Sequence, residues 1–179
     1  MLSRAVFLDR DGTMAPDIPY CSRPEDFNLF PESAKAIRRL KANGFKVIVI
    51  TNQSGVARGY FSEDTLMKIH EKMERELSRE DAHLDGIYYC PHHPDEGCEC
   101  RKPKPQMILR AAQEHGINLL KSVMIGNSSA DIEAGKAAGC KTILIASSQP
   151  TDEAIASRPD AVAAHLLEAA EVLKKESAA

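Results

Sequence analysis

A chain of 179 residues with 43% hydrophobic and 27% charged side chains has the size and composition of one globular domain, residues 1–179, which excludes disorder over most of its length. Its 23 Lys and Arg against 26 Asp and Glu leave a formal charge of −3 at pH 7, too little basic field to hold nucleic acid or an anionic membrane, so any anionic ligand must be gripped locally. No run of 18 apolar residues and no signal-peptide pattern is present, and the expectation is a soluble, cytoplasmic monomer with no nucleic-acid or membrane partner.

Taken in chain order, Ala5 to Leu8, Lys46 to Thr51 and Ser122 to Gly126 read as buried parallel strands, because they are short, apolar and rich in β-branched residues. Between the first two, Glu32 to Asn43 carries Ala34, Ile37 and Leu40 at helical spacing and stops at Asn43-Gly44. Ser62 to Arg79 reads as a long amphipathic helix with Ser62 as N-cap. A short strand at Gly86 to Tyr89 follows, then a polar loop bearing cysteines, then a helix from about Pro105 to His115 ended by Gly116. The last third holds a helix Ala130 to Ala138, a strand Lys141 to Ala146, a helix near Thr151 to Ser157 and a final helix from His165, with fraying expected from about Lys174. The alternation predicts an α/β fold with a mainly parallel sheet flanked by helices.

Phe7-Leu8-Asp9-Arg10-Asp11-Gly12-Thr13 sets two acids two residues apart immediately after an apolar strand, where open α/β sheets keep their ligand crevices. Such a pair can divide labour: one carboxylate attacks phosphorus while the other protonates the leaving oxygen and then activates water. The plain alternative is an acidic turn with a local hydrogen bond from Asp11. With this heptapeptide the sequence resembles the haloacid dehalogenase superfamily of phosphatases, whose first motif is Asp-x-Asp-x-Thr. Thr51-Asn52-Gln53-Ser54-Gly55 after the second strand resembles the second motif, offering a hydroxyl and backbone donors to a phosphoryl group. Arg101-Lys102-Pro103-Lys104-Pro105 resembles the third, whose lysine falls on Lys102.

The segment Cys90-Pro-His92-His93-Pro-Asp-Glu-Gly-Cys98-Glu-Cys100 supplies three thiols and an imidazole, enough for a closed tetrahedral zinc site of a structural kind. By spacing, either His92 or His93 can be the fourth ligand. The remaining cysteines, Cys21 and Cys140, read as space fillers. Together with Gly86-Ile-Tyr-Tyr-Cys-Pro-His-His-Pro and Cys100-Arg-Lys-Pro-Lys-Pro, the motifs resemble the D-glycero-D-manno-heptose 1,7-bisphosphate 7-phosphatase family, over nearly the whole chain.

That resemblance implies a Rossmann-like fold without a large cap domain, catalytic magnesium, a zinc-stapled loop with ligands Cys90, His92, Cys98 and Cys100, and a small phosphorylated sugar as substrate. It implies that Asp9 is the nucleophile and Asp11 the general acid and base, with Thr51 and Lys102 stabilising the phosphoryl group. By the same resemblance Arg101 grips a distal phosphate, and substrate contacts are expected at Asp17, Tyr20, Asn52, Gln53, Ser54 and Ser128. Asp17 and Tyr20 can equally be ordinary loop residues, and Arg58 lies either near the sugar or merely on the surface. Histidinol-phosphate phosphatase is the nearest alternative activity.

The fourth motif departs from the family pattern. Gly126-Asn127-Ser128-Ser129-Ala130-Asp131 carries an amide where Gly-Asp-x-x-x-Asp has its first acid. Asn127 still offers magnesium an oxygen beside Asp9 and Asp11, with Asp131 behind it to hold a water or move inward. The lost charge predicts weaker magnesium binding and leaves three readings: a natural variant working at higher magnesium, a phospholigand-binding relative that has lost catalysis, or a deliberate substitution. Ser128 stands where the family usually has a basic residue, and capping of the next helix is the competing reading for Ser128 and Ser129. Gln106 replaces the family's usual glycine.

Overall fold

The computed structural model describes residues 2–146 and 151–178, with the side chains of residues 175–178 outside the described set. Six strands, β1 (Arg4–Leu8), β2 (Phe45–Asn52), β3 (Gly86–Cys90), β4 (Val123–Gly126), β5 (Lys141–Ile145) and β6 (Ala161–Ala163), pair parallel throughout in the order β3-β2-β1-β4-β5-β6. The helices are α1 (Ser33–Ala42), α2 (Glu63–Ser78), α3 (Gln106–His115), α4 (Ser129–Ala137), α5 (Asp152–Ala156) and α6 (Leu166–Ala178).

Helices cover both faces of the sheet, which is why its central strands read as continuous apolar runs rather than alternating ones. Val6 and Leu8 of β1 belong to a core shared with Ile37 of α1, Ile69 of α2 and Leu173 of α6. Ala5 and Phe7 point the other way, into a core with Met107 and Ile108 of α3 and Ala134 of α4. The chain leaves β1 for β2 and β3 on one side, then returns to set β4 on β1's other flank. Such a reversal opens a crevice outside the carboxyl ends of β1 and β4.

Among the described residues, the connections over that crevice carry little regular structure and no folded insertion. Residues 9–32 contain only a 3-10 turn at Pro24–Asp26, and residues 91–105 only another at Pro94–Glu96. The Ser33 hydroxyl at the start of α1 donates to Met14 O at 2.7 Å, pinning the loop after β1 to the helix layer. α2 begins at the expected cap, with the Ser62 hydroxyl accepting from Thr65 N, whereas α3 starts at Gln106 with Pro105 in the cap position.

β6 is an addition to the sequence reading. Three residues carry no periodicity, and the strand is set by a partner far along the chain: the Asp160 carboxylate accepts from Thr142 N at 2.7 Å and from Thr142 Oγ1 at 2.8 Å. Backbone helix continues to Ala178 through the segment where fraying is expected. Among the described residues no helix is long and apolar enough to cross a membrane.

Candidate active site

Asp9 emerges from β1 with its N–H donating 2.9 Å to Ile125 O of β4, so the strand pairing itself aims the side chain into the crevice. The chain then reverses tightly: Arg10 O accepts from Met14 N at 2.9 Å and Ala15 N at 3.1 Å. Gly12 turns this loop at φ +79°, and a Cβ there would stand 2.0 Å from Asn127 Nδ2. The backbone angle favours glycine, and any side chain there would displace the Asn127 side chain, so the turn of the first motif packs closely on the fourth.

Lys102 is buried and donates from Nζ to Asp9 Oδ1 at 2.7 Å and to Ile50 O at 2.8 Å, with Asp131 Oδ1 at 2.6 Å. Asn52 holds the lysine's backbone on both sides, donating to Lys102 O and accepting from Lys102 N, each at 3.1 Å. Burial pushes the Asp9 carboxyl up to about 7, with Asp131 and Asp11 adding repulsion that Lys102 only partly offsets. Burial also opposes charge on Lys102, but the Asp131 and Asp9 carboxylates outweigh it and raise its pKa.

Asp11 is more open, its side chain 21% exposed. Gln53 Nε2 donates to Asp11 Oδ2 and to Thr51 Oγ1, both at 2.9 Å, joining the first and second motifs. At the fourth motif, Asp131 Oδ2 accepts from Asn127 N at 3.1 Å, Ser128 N at 3.0 Å and Ser128 Oγ at 2.7 Å, the reciprocal capping of α4. The hydroxyl of Ser128 is thus engaged in the cap, although the residue lines the cleft.

The cleft has a volume of about 420 Å³, and its walls gather Asp9, Asp11, Asp17, Tyr20, Asn52, Gln53, Ser54, Lys102, Asn127, Ser128 and Asp131. Thr51 lies buried behind the wall, and Arg58 and Arg101 are outside the lining. The Arg58 guanidinium sits 5.6 Å from the Tyr20 ring centroid, and Tyr20 packs edge-on at 4.8 Å against Tyr60. Arg101 Nη1 is buried with no hydrogen-bond partner among the described residues. A larger cavity, about 600 Å³, opens beside edge strand β3 among Tyr88, Arg110 and Glu114, but none of the β1-end carboxylates reaches it.

Ile18 and Pro19 line the cleft with the rest of the loop Asp17 to Tyr20, whereas sequence reasoning missed Arg10 and Cys21 as parts of the cleft wall and Tyr60 as Tyr20's partner. Arg10 sits inside the first motif, and its position between two acids was the available signal. Cys21 reaches the cleft, whereas Cys140 is confined to the core.

The cleft's chemistry fits magnesium. The Asp9 carboxylate, the main-chain carbonyl of Asp11, whose side chain is engaged by Arg10 and Gln53, and the side-chain amide oxygen of Asn127 are hard oxygen donors. Burial, with repulsion from Asp131 and Asp11, raises the Asp9 pKa, a penalty on its charge that a dication would relieve. In the loop after β3, one ligand atom from each of Cys90, His92, Cys98 and Cys100 lies within 4.8 Å of all the others. Their sulfurs are 3.0–3.7 Å apart, and His92 Nδ1 is 3.5 Å from Cys90 Sγ and 3.2 Å from Cys100 Sγ. Bonds of the usual zinc lengths place tetrahedral ligands about 3.5–3.8 Å apart, so the cluster could hold zinc. His93 points elsewhere, its Nδ1 accepting from Asp95 N at 3.3 Å.

A family model described as HAD-hyrolase-like matches residues 99–169. The chain is 43% identical over 159 residues to a D-glycero-beta-D-manno-heptose-1,7-bisphosphate 7-phosphatase of Pasteurella multocida (strain Pm70), covering 85% of this chain and 86% of the relative. It is 38% identical to the protein of that name from Escherichia coli (strain K12), covering 96% and 94%. The solved D,D-heptose 1,7-bisphosphate phosphatase of B. bronchiseptica, complexed with magnesium and phosphate, superposes with a TM-score of 0.88 at 35% identity, covering 97% of this chain and 99% of that one. With such identity over most of both lengths and the same parallel architecture, the chain belongs to the D-glycero-beta-D-manno-heptose-1,7-bisphosphate 7-phosphatase family of HAD-like hydrolases.

Proposed function

We propose that the chain is a magnesium-dependent phosphatase that removes the 7-phosphate of D-glycero-D-manno-heptose 1,7-bisphosphate through an aspartyl-phosphate on Asp9. The observation that carries it is the buried Lys102 ammonium held 2.7 Å from Asp9 Oδ1, inside a cleft that Asp11 also lines. A carboxylate that must attack an anionic phosphate needs a cation beside it, both to stay ionised and to neutralise the phosphoryl oxygens.

An Asp9 carboxylate oxygen bonds to phosphorus as the bond from phosphorus to the sugar oxygen breaks, and Asp11 gives its proton to that departing oxygen. Asp11 then takes a proton from water, whose oxygen attacks phosphorus, releasing inorganic phosphate and restoring Asp9. Lys102 holds Asp9 in place, and Asp131 and Asn52 hold Lys102. Asp9, Asp11 and Asn127, with Asp131 behind them, would hold magnesium, which when bound would supply charge neutralisation at the phosphoryl group. Thr51 acts from behind the cleft wall through Gln53, and Arg101, whose Nη1 has no hydrogen-bond partner among the described residues, takes the distal phosphate. Cys90, His92, Cys98 and Cys100 would hold zinc, which when bound would fix the loop that carries Arg101 and Lys102.

Phosphate release from the heptose bisphosphate, measured with the chain as it stands and with Asp9→Asn, tests this reading. Turnover by the former and its abolition in a folded variant are expected; undiminished turnover by Asp9→Asn overturns the assignment of the nucleophile.

A further inference from the structure

Arg10 is one of the largest fully buried side chains of the protein, 1% exposed, yet it carries a full charge. Its one ion pair among the described residues is with Asp11. Nε donates to Asp11 Oδ1 at 3.1 Å and Oδ2 at 3.2 Å, and Nη2 donates to Oδ2 at 2.9 Å. Behind the guanidinium lies the buried ring of Phe27, 5.4 Å from Arg10 Cζ. Nearby is His70, which burial, with Arg10 adding repulsion, keeps neutral.

Sinking an arginine into a core is costly unless geometry repays it, and packing alone would be served by a leucine or methionine. What an arginine adds is a planar fork that fixes a carboxylate in rotation as well as position. The fork and Gln53 share the work unequally. Asp11 Oδ2 receives Arg10 Nη2 and Gln53 Nε2, both at 2.9 Å, while Oδ1 receives only the longer Nε contact. Oδ1 is therefore the oxygen with lone-pair capacity left to carry a proton.

We propose that Arg10 is a positioning residue: its buried fork fixes the Asp11 carboxyl so that Oδ1 delivers the proton to the departing sugar oxygen and later takes one from water. The proposal rests on the phosphatase reading above. Arg10 itself transfers no proton and acts only through Asp11.

The test compares two leaving groups in single-turnover reactions of the magnesium-loaded protein. A sugar alkoxide must be protonated as it leaves, whereas p-nitrophenolate departs without help. General acid catalysis contributes about 10²–10⁴-fold, so Arg10→Met should slow sugar release from the heptose bisphosphate by about a hundredfold while the first-turnover burst from p-nitrophenyl phosphate falls only a few-fold. Arg10→Lys keeps the buried charge but not the fork, and should show the same selective loss even if Arg10→Met does not fold. Equal losses on both substrates, or none on either, overturn the proposal. Asp11→Asn separates the layers: its selective loss without one in the Arg10 variants defeats only this proposal, and absence of phosphate release by the unsubstituted chain defeats the phosphatase reading and the proposal with it.

Discussion

Replacing Lys102 with Met removes a buried charge while nearly conserving the length of the side chain, so packing is preserved and electrostatics are read directly. In the folded protein the ammonium lies 2.7 Å from Asp9 Oδ1 and 2.6 Å from Asp131 Oδ1, and the Asp9 and Asp131 side chains are only 11% and 1% exposed. Removing one partner of a buried ion pair typically costs about 3–5 kcal/mol, because the charge left behind has no water to replace it. Protonation of Asp9, whose carboxyl already titrates at about 7, relieves part of that penalty, which places the expected loss near the lower end, about 3 kcal/mol. For a chain of this length each kcal/mol lowers Tm by about 2–4 °C, so the melt should shift down by about 6–12 °C in magnesium-free buffer. Added magnesium should restore part of the shift, because a dication neutralises the same carboxylates. Differential scanning calorimetry of both proteins, with and without magnesium, reads all of this. An unchanged Tm without magnesium would refute the view that Lys102 holds these acids together.

Three further outcomes are expected. Asn127→Asp should lower the magnesium concentration needed for half-maximal phosphate release by at least tenfold, since a unit charge about 4 Å from a cation is worth roughly 4 kcal/mol per pair at an effective dielectric near 20; an unchanged magnesium requirement contradicts Asn127 as a ligand. His70 titrates near 6.5 when exposed but only at about 3 in the fold, so its contribution to stability is complete above pH 6.5 and fades as pH falls towards 3. Between pH 7 and 5 urea melts should show about 2 kcal/mol more loss in the unsubstituted chain than in His70→Gln, and parallel pH profiles would count against a neutral buried His70. Protein purified without chelator should contain about one zinc per chain, with Cys98→Ser losing both the metal and several degrees of Tm; zinc retained in full by Cys98→Ser would exclude that thiol from the ligand set.

How much of this was legible in the sequence depended on the range of the interactions concerned. β1, β2 and β4 were readable because strands buried on both faces are necessarily apolar, and Phe7 and Leu8 serve opposite cores with equally apolar side chains. The zinc cluster was legible because its ligands come from one short loop, although only the fold separates His92, in the cluster, from His93, capping a 3-10 turn. β6 escaped because it depends on Asp160 meeting Thr142, a tertiary contact with no local pattern. The same limit applies to Arg10. Its charge suggests solvent, and only the meeting of Phe27, His70 and Asp11 around it shows why it is dry. For Thr51 and Arg101 the motif gives the residue but not its depth, and both stand outside the cleft wall.

The central claim is that Asp9 forms a covalent bond to the phosphoryl group of a heptose 7-phosphate. Acid-quenched single-turnover mixtures of the magnesium-loaded protein and D-glycero-D-manno-heptose 1,7-bisphosphate, digested and read by mass spectrometry, test it most directly. The account predicts a transient phosphoryl adduct on the peptide carrying Asp9, absent in Asp9→Asn, and a sugar product that keeps its 1-phosphate. Phosphate release with no adduct at any time point, or a product that has lost its 1-phosphate instead, would contradict it.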